Sequence, residues 1–481
     1  MPQIGRSTRY IFTWMGKIKD TLLSTAHPRP VDMMHDSWMT DAEKFSYFTN
    51  ARPDARPDNA PFLFRNLSRF STRDDLSNLV VIPAKGFGKW FFGPRPGVHD
   101  MAGLTPRFRK HLAHTVPYEL IYTPGPDGKP SPDSPLSEFI DWLRTESTDP
   151  RHRALANTLE TEMFCHPHVL RHPPVSPAQD RGNDDDAIFL RFSAPLTLLD
   201  SAMYWNSKRP SPDSRLTQLY IAQVALSDLP ARLQQDVPTP SVLTRPTPTP
   251  THPSRSADPF PLSVADIYAS SLWLGLTPTF TPWHRDPNPN LFCQLLGRKV
   301  VRLMPPEPGK RLFREVMTRL HQQQPQQGGV SQSAAIRGAE MMQGAERRAW
   351  EEVIWGDWAA AEGEAGSGTG SLGMGFDKKW TEGMEEAVLS PGDALYIPHG
   401  WWHSVRSVQK ASEDEIGEGD GQSMSHVPGD AGQRTSLPPS EKPAVPLYKA
   451  GRATWGQEPG ELNVSVNWWF RWRTMKEGQE S

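Results

Sequence analysis

Cysteine is scarce in this sequence, long hydrophobic runs are missing, and neither sign of charge dominates. The 481 residues include only Cys165 and Cys293, which excludes a disulfide framework and any zinc finger or ribbon that needs four or more thiolates. No apolar stretch approaches the roughly 20 residues that span a bilayer, so we predict no membrane segment. The formal net charge is −3 without a long basic run, which argues against a protein whose main function is to bind nucleic acid.

The scarcity of cysteine suits a reducing compartment, so we predict a cytoplasmic or nuclear location. A mitochondrial location is the alternative, because Arg6, Arg9, Lys17 and Lys19 all precede the first acidic residue, Asp20. A frayed or surface helix at the N-terminus explains the same residues. The sequence leaves both the compartment and the oligomeric state open.

Proline and glycine, with 49 and 36 residues, divide the chain into strand-like and loop-like parts. Several short apolar segments end in tight turns, which is typical of an antiparallel sandwich or barrel. The predicted parts are an irregular segment 1–60, an N-terminal α/β part 61–235 with an insertion near 145–186, a Pro/Thr-rich linker or loop 236–259 and a β-rich barrel 260–475. We predict that the linker holds no packed strand or helix, because its prolines remove backbone donors.

Two long insertions interrupt the predicted barrel, at residues 321–385 and 411–460. The first is rich in Gln, Gly, Ala and Glu, with a helical pattern in its middle. The second is acidic and rich in Gly, Pro and Ser, so it is predicted to be disordered. The sequence does not reveal the role of either insertion.

A histidine and an acid two residues apart, His284 and Asp286, suggest a metal site. Alternate side chains of a strand point to the same face, so both can reach one ion. A third ligand has to come from elsewhere, and His403 follows a Pro-Gly-Asp turn and an apolar strand. Two imidazoles and one carboxylate form a facial triad that suits non-haem Fe(II). His399 is a competing ligand, although its proline and glycine neighbours favour a turn.

Three longer motifs carry a family resemblance. They are T-P-W-H-R-D-x3-N-x3-Q-x2-G-R-K from Thr281 to Lys299, P-G-D-x-L-Y-I-P-x2-W-W-H from Pro391 to His403, and V-N-W-W-F from Val466 to Phe470. Together they resemble the JmjC (cupin-like) family of Fe(II)- and 2-oxoglutarate-dependent oxygenases. Within it, the chain is most similar to small protein hydroxylases such as the asparaginyl hydroxylase of hypoxia-inducible factor. The resemblance implies a mainly β fold with α/β elaboration, in which a double-stranded β-helix (jelly-roll) barrel carries N-terminal helices and strands and long loop insertions.

The resemblance also assigns a role to individual residues. The implied iron ligands are His284, Asp286 and His403. The implied cosubstrate residues are Lys299, Thr281 and Tyr220 at the distal carboxylate of 2-oxoglutarate, Asn290 and Asn467 near its iron-bound end, and Trp469 in the pocket wall. Ordinary alternatives remain for some of them: an exposed strand lysine for Lys299, turn residues for Thr281 and Asn290, and a core residue for Tyr220.

The implied reaction uses Fe(II), 2-oxoglutarate and O2. Oxidative decarboxylation of 2-oxoglutarate to succinate and CO2 is coupled to hydroxylation of a substrate, for which a protein side chain is the first choice. A JmjC-type histone lysine demethylase needs the same residues, although the cysteine count leaves no room for zinc-bound reader modules. A tRNA-base hydroxylase fits the near-neutral charge less well. A catalytically inactive cupin-like scaffold is disfavoured by the complete set of ligands.

The sequence Cys-His-Pro-His at 165–168 offers Cys165, His166 and His168 as a second metal cluster. Its spacing fits no common zinc pattern, and it falls in the insertion near 145–186. We therefore predict that it is not a metal site.

Overall fold

The computed structural model of the chain describes residues 29–31, 60–64, 88–93, 101–125, 128–145, 149–165, 187–244, 247–248, 262–323, 342, 344–356, 382–410 and 456–474. In chain order its strands are β1 (Arg29–Pro30), β2 (Phe62–Phe64), β3 (Phe91–Phe92), β4 (Gly103–Leu104), β5 (Thr115–Tyr122), β6 (Ile188–Pro195), β7 (Leu219–Ala225), β8 (Thr247–Pro248), β9 (Leu262–Leu276), β10 (Phe280–Arg285), β11 (Asn290–Leu296), β12 (Lys299–Met304), β13 (Glu385–Leu389), β14 (Ala394–Ile397), β15 (Trp402–Ser407) and β16 (Leu462–Thr474).

The helices are α1 (Pro106–Arg109), α2 (Pro135–Thr145), α3 (Pro150–Cys165), α4 (Thr197–Asn206), α5 (Ala231–Asp236), α6 (Ser241–Thr244), α7 (Pro306–Gln323) and α8 (Gly344–Trp355). Short 3-10 turns at Pro212–Ser214 and Leu226–Asp228 flank β7. Among the described residues, no helix is long and apolar enough to cross a lipid bilayer.

Two mainly antiparallel sheets face each other. The smaller has the order β1-β13-β12-β15-β10, and the larger runs β2-β14-β11-β16-β9-β7-β5-β6, with β8 beside β9. Apolar side chains from both sheets, such as Val301, Leu303 and Phe292, share one buried cluster between them. This arrangement confirms the predicted jelly-roll fold with N-terminal helices and strands.

The strand β12 shows how the sequence supports this layering. All of its residues are buried, because both of its faces are covered. Val301 and Leu303 face the other sheet, whereas Val300 and Met304 pack with residues of α7 and α8 on the outside. The four apolar residues of β12 thus cover both of its faces, and the strand buries the charged Lys299 and Arg302 between them.

The helix α3 lies where the sequence analysis placed an insertion near 145–186. Its Leu155, Leu159 and Met163 recur every four residues, are buried, and join the main hydrophobic core with α2 and α4. Residues 150–165 are therefore part of the domain core, and the polar residues that suggested an insertion form the other face of a helix. Residues 166–186 lie outside the described part of the chain.

The expectation that 236–259 holds no packed helix or strand is wrong for residues 241–244 and 247–248. The helix α6 buries Leu243 completely, and β8 pairs with β9 through Thr247 and Ser263. One apolar side chain is enough to anchor this short turn of helix, even between prolines. Residues 249–261 are outside the described ranges.

The predicted helix in the insertion 321–385 is confirmed as α8, and the preceding helix α7 was not anticipated. Ala349, Trp350 and Val353 of α8 pack with Val316 of α7 against the outer face of the smaller sheet, where Trp402 also lies. This part of the insertion is thus a layer of the fold. Strand β13 begins at the last residue of the predicted insertion. The predicted irregular segment 1–60 lies largely outside the described residues, apart from β1, residue 31 and residue 60.

The second insertion, 411–460, is described only from residue 456 onward. Its flanks meet, because Lys410 N donates to Gln457 O at 3.0 Å and Gln457 N donates to Val408 O at 2.9 Å.

We therefore expect that replacing 412–455 with a short Gly-Ser turn leaves the fold and 2-oxoglutarate turnover nearly unchanged. Circular dichroism and a succinate assay check this, and collapse of either would show that the barrel needs the segment.

The carboxylate of Asp236 holds the N-terminal part together. It is 1% exposed and accepts hydrogen bonds from Lys89 Nζ at 2.8 Å, Trp90 Nε1 at 3.2 Å, and Arg107 Nε and Nη2 at 2.8 and 2.6 Å. Burial by itself raises the pKa of Asp236, but the hydrogen bonds from Arg107, Lys89 and Trp90 outweigh it and lower the pKa from 3.8 to about 2.

We expect Asp236→Asn to lower the free energy of unfolding at pH 7 by about 1–3 kcal/mol, because it removes the charged acceptor of Lys89 and Arg107, which are themselves 43% and 32% exposed. Since the folded-state pKa lies below the ordinary value, this stabilisation is present above about pH 4 and is lost as the pH falls towards 2. Urea unfolding at pH 7 and pH 3 measures it, with exposed Asp228→Asn as the control. Equal losses in the two variants would contradict the assignment.

Candidate metal centre

Strands β10 and β15 bring two histidines together. They run antiparallel with His284 directly opposite His403, and the ring centroids are 4.2 Å apart. The register shifts between Thr281 and His284, so Pro282 and Trp283 face the single residue Ser404. This is a β-bulge, a place where a strand tolerates a proline. Because of the extra residue, Thr281 and His284 both line the cavity, although regular alternation would separate them.

Each histidine is held through its Nδ1 atom. Nδ1 of His284 lies 2.8 Å from the carbonyl oxygen of Pro282, and Nδ1 of His403 lies 3.2 Å from that of Trp401. A carbonyl only accepts, so both Nδ1 atoms carry the proton and both Nε2 atoms keep a lone pair. Both rings are buried. Two imidazoles are therefore oriented to bind a metal through Nε2.

The carboxylate of Asp286 is held by two donors on the same oxygen. Its Oδ2 accepts from Asn290 Nδ2 at 2.9 Å and from Trp469 Nε1 at 2.8 Å, and lies 3.8 Å from His403 Nε2. Asn467 Nδ2 in turn donates to Asn290 Oδ1 at 3.0 Å. These contacts fix the carboxylate plane, so Asp286 is oriented before any metal ion binds.

These three side chains fit a divalent metal. One ligand atom from each of His284, Asp286 and His403 lies within 4.8 Å of the others, and no second such cluster occurs in the described ranges. Two neutral imidazoles and one carboxylate bind from the protein side, which leaves the cavity side for further ligands. That donor set suits Fe(II) in oxygenases.

A buried lysine lies deeper in the same cavity. Lys299 is 3% exposed, and its Nζ donates to Ser465 Oγ at 2.9 Å and to Tyr220 OH at 3.2 Å. The rings of Phe292 and Tyr220 are 5.4 and 5.7 Å from Nζ. An ammonium group beside two hydroxyls in a buried part of the cavity is suited to bind a carboxylate.

The structure brings every predicted site residue to one cavity of about 320 Å³. Its lining includes His284, Asp286, His403, Lys299, Thr281, Tyr220, Asn290, Asn467 and Trp469. The ordinary alternatives for three of them do not apply, because Lys299 is buried and Thr281 and Asn290 lie in strands. The catalytic and cosubstrate roles of these residues stay predictions.

Three further residues of the site were missed from the sequence. Ser465 could have been found, since alternation along β16 puts it on the face of Asn467 and Trp469. Tyr268 lies at the mouth, 48% exposed, and burial of its hydroxyl raises its pKa. Gln223 also lines the cavity and has a positive φ of 55° at a register shift of β7, which no sequence signal marks.

Neither His399 nor Cys165 is part of this site. His399 is exposed and is not part of the cavity lining. Cys165 is an exposed free cysteine at the end of α3, while His166 and His168 lie outside the described residues.

The hydrogen bond from Trp469 to Asp286 leads to a testable expectation. Trp469→Phe keeps an aromatic ring but removes the N–H, so we expect divalent metal affinity to fall about 10-fold or more. Trp468→Phe is the matched control, because Trp468 faces the main core on the other side of β16. Isothermal titration with Mn(II) measures both variants. A Trp469→Phe affinity equal to that of Trp468→Phe would contradict this role.

Comparison with known proteins agrees with this architecture. Residues 176–475 match the cupin-like domain family model. Among curated proteins, lysine-specific demethylase 8 of Danio rerio is 26% identical over 144 residues, which cover 30% of this chain and 26% of that protein. JmjC domain-containing protein F of Dictyostelium discoideum is 26% identical over 137 residues, covering 28% of this chain and 24% of the relative.

A shorter match reaches higher identity. JmjC domain-containing protein D of Dictyostelium discoideum is 40% identical over 48 residues, or 10% of this chain and 11% of that protein. The chain spans about a quarter of the length of the first two relatives. The family match covers more than half of the chain and includes the strands β6 to β16 and the His-Asp-His cluster. The chain therefore belongs to the cupin-like domain family, as its JmjC-type motifs predicted.

Proposed function

We propose that this protein is an Fe(II)- and 2-oxoglutarate-dependent oxygenase that hydroxylates a protein side chain. The observation that carries the proposal is the presence of a His-Asp-His cluster and the buried Lys299 in one cavity. When bound, iron and 2-oxoglutarate supply the oxidising chemistry, in which O2 converts the cosubstrate to succinate and CO2 and one oxygen atom enters the substrate.

The three ligands would hold the metal at the mouth side of the cavity. His284 and His403 offer Nε2 lone pairs, and the Asp286 carboxylate offers charge together with a fixed orientation. The backbone carbonyls behind both imidazoles and the donors on Asp286 mean that the site needs little rearrangement on binding.

The deep end of the cavity would hold the distal carboxylate of 2-oxoglutarate. Lys299 provides the charge, and the hydroxyls of Thr281, Tyr220 and Ser465 lie around it or line the same space. Charge-assisted hydrogen bonds in a buried site are stronger than in water, so a dicarboxylate is held by its far end. Its other end then points towards the metal ligands. The protein thus orients the cosubstrate and excludes water.

Lysine demethylation is the second candidate, because two of the curated relatives are named lysine-specific demethylase 8, from Danio rerio and Xenopus tropicalis. The same ligands and the same lysine serve both reactions, since demethylation also begins with oxidation of a C–H bond. The two candidates differ in product: hydroxylation adds an oxygen atom to the protein, whereas demethylation removes a methyl group as formaldehyde.

One experiment tests the proposal and separates the two candidates. Purified protein is incubated with Fe(II), ascorbate and 2-oxoglutarate, with and without cell extract, and succinate and formaldehyde are measured. We expect succinate without matching formaldehyde, and an extract protein that gains the mass of one oxygen atom. Stoichiometric formaldehyde would support demethylation, and no succinate from folded protein would leave a non-catalytic scaffold as the function. His403→Ala is the control for succinate formed without the site.

A further inference from the structure

The last residue of α8, Trp355, contacts the outer side of β15, the strand that carries His403. Its Nε1 donates to Ser404 Oγ at 2.9 Å, and Ser404 Oγ donates to the carbonyl oxygen of Thr281 at 2.7 Å. All of these groups are buried. A hydrogen-bond relay therefore runs from the insertion 321–385 to strand β10 at the metal centre.

The relay ends at the β-bulge that positions His284. Ser404 is the single residue of β15 that faces Pro282 and Trp283, and it follows His403 directly. A bulge interrupts the backbone ladder, so its polar groups need other partners. The Ser404 hydroxyl supplies one of them at Thr281. Without the Ser404 hydroxyl, the carbonyl oxygen of Thr281 would lose a hydrogen bond. The bulge that places both Thr281 and His284 at the cavity would then be held less firmly.

The indole of Trp355 is itself fixed from two strands. The guanidinium carbons of Arg406 and Arg302 lie 4.4 and 4.6 Å from the ring centroid. Arg302 also donates to the carbonyl of Ile354 and, at 2.9 Å, to Glu386 Oε2. Cation–π contacts of this kind hold the ring in one orientation, which keeps its N–H directed at Ser404.

We propose that Trp355 is a positioning residue for the metal centre, acting through Ser404 on the bulge of β10. The insertion 321–385 thereby becomes part of the active-site architecture, although Trp355 does not line the cavity. This inference rests on the proposed metal site. It predicts that metal affinity depends on one indole N–H outside the cavity.

The same helix offers a matched control. Trp350 is completely buried and stacks on Phe313 at 5.5 Å, and its Nε1 has no hydrogen-bond partner among the described residues. Trp355→Phe and Trp350→Phe remove the same atoms from the same helix. Only the first removes a hydrogen bond of the relay, so a general loss of packing would affect both variants.

The test is Mn(II) titration of the folded full-length chain for the wild type, Trp355→Phe, Trp350→Phe, Ser404→Ala and the double variant Trp355→Phe/Ser404→Ala. A net hydrogen bond of about 1 kcal/mol corresponds to roughly a 5-fold change in affinity. We expect losses of about that size for Trp355→Phe and Ser404→Ala, no loss for Trp350→Phe, and a double variant no weaker than Ser404→Ala alone.

Two results would overturn the inference: wild-type affinity in folded Trp355→Phe, or an equal loss in Trp350→Phe. Ser404→Ala is the smaller change and decides the question if Trp355→Phe does not fold. A wild-type protein that binds no Mn(II) is a different result, because it overturns the proposed metal site itself.

Discussion

Replacing Asp286 with alanine should remove most of the Fe(II) affinity and nearly all 2-oxoglutarate turnover. The carboxylate is one of the three proposed metal ligands, and it brings the only negative charge of the cluster. Loss of a partner that merely orients a ligand costs about 10–100-fold in metal affinity, so we expect loss of the ligand itself to cost at least about 100-fold.

The fold should survive this change. Asp286 follows the end of β10 and is only partly buried, so the variant mainly leaves the donors of Asn290 and Trp469 without their acceptor. We expect a cost of about 1–3 kcal/mol in the free energy of unfolding. Asn288→Ala, in the same loop, is the control that touches no ligand. A folded Asp286→Ala protein with wild-type iron binding and turnover would show that the metal lies elsewhere.

Replacing Lys299 with alanine should weaken binding of 2-oxoglutarate by two to three orders of magnitude or more. The lysine lies in a strand whose residues are all buried, at the deep end of the cavity. Removing it leaves a desolvated carboxylate without its counter-charge, which costs about 3–5 kcal/mol. At about 1.4 kcal/mol per factor of ten, that energy gives the stated loss of affinity.

Lys299→Arg should restore binding only in part, because a longer, forked guanidinium keeps the charge but not the shape. Fe(II) affinity should survive both changes, since Lys299 is not a metal ligand. Anaerobic titration of the Fe(II) protein with 2-oxoglutarate, followed by the metal-to-ligand absorption band, measures these effects. Lys208→Ala, an exposed lysine on the turn after α4, controls for the change in net charge. An unchanged dissociation constant for Lys299→Ala would place the carboxylate site elsewhere.

The sequence was most informative where function restricts residue identity and spacing together. His284 and Asp286 share a face because side chains alternate along an extended chain, a rule that is purely local. The motif around His403 then supplied the partner strand. Lys299 followed from the family resemblance, and the structure places it beside Tyr220, the least specific of the predicted residues.

The sequence was least informative where contacts depend on register and distant packing. The bulge at Pro282 cannot be placed without knowing that His284 faces His403 across the sheet. Trp355 belongs to an insertion rich in Gln, Gly, Ala and Glu, a composition that gives no sign of the hydrogen bond to Ser404. Similarly, the many polar residues of α3 suggested an insertion, although one face of this helix is apolar and buried. In each case, contacts between residues far apart in the sequence decide where the segment lies in the fold. The average composition of a segment does not record such contacts.

Diffraction from crystals grown without oxygen in the presence of Mn(II) and 2-oxoglutarate would locate both the metal and the cosubstrate. We expect one manganese ion, identified by its anomalous signal, bonded to Nε2 of His284, Nε2 of His403 and an oxygen of Asp286, with the distal carboxylate of 2-oxoglutarate at Lys299 Nζ. A metal bound away from these three ligands, or a cosubstrate carboxylate away from Lys299, would contradict this expectation.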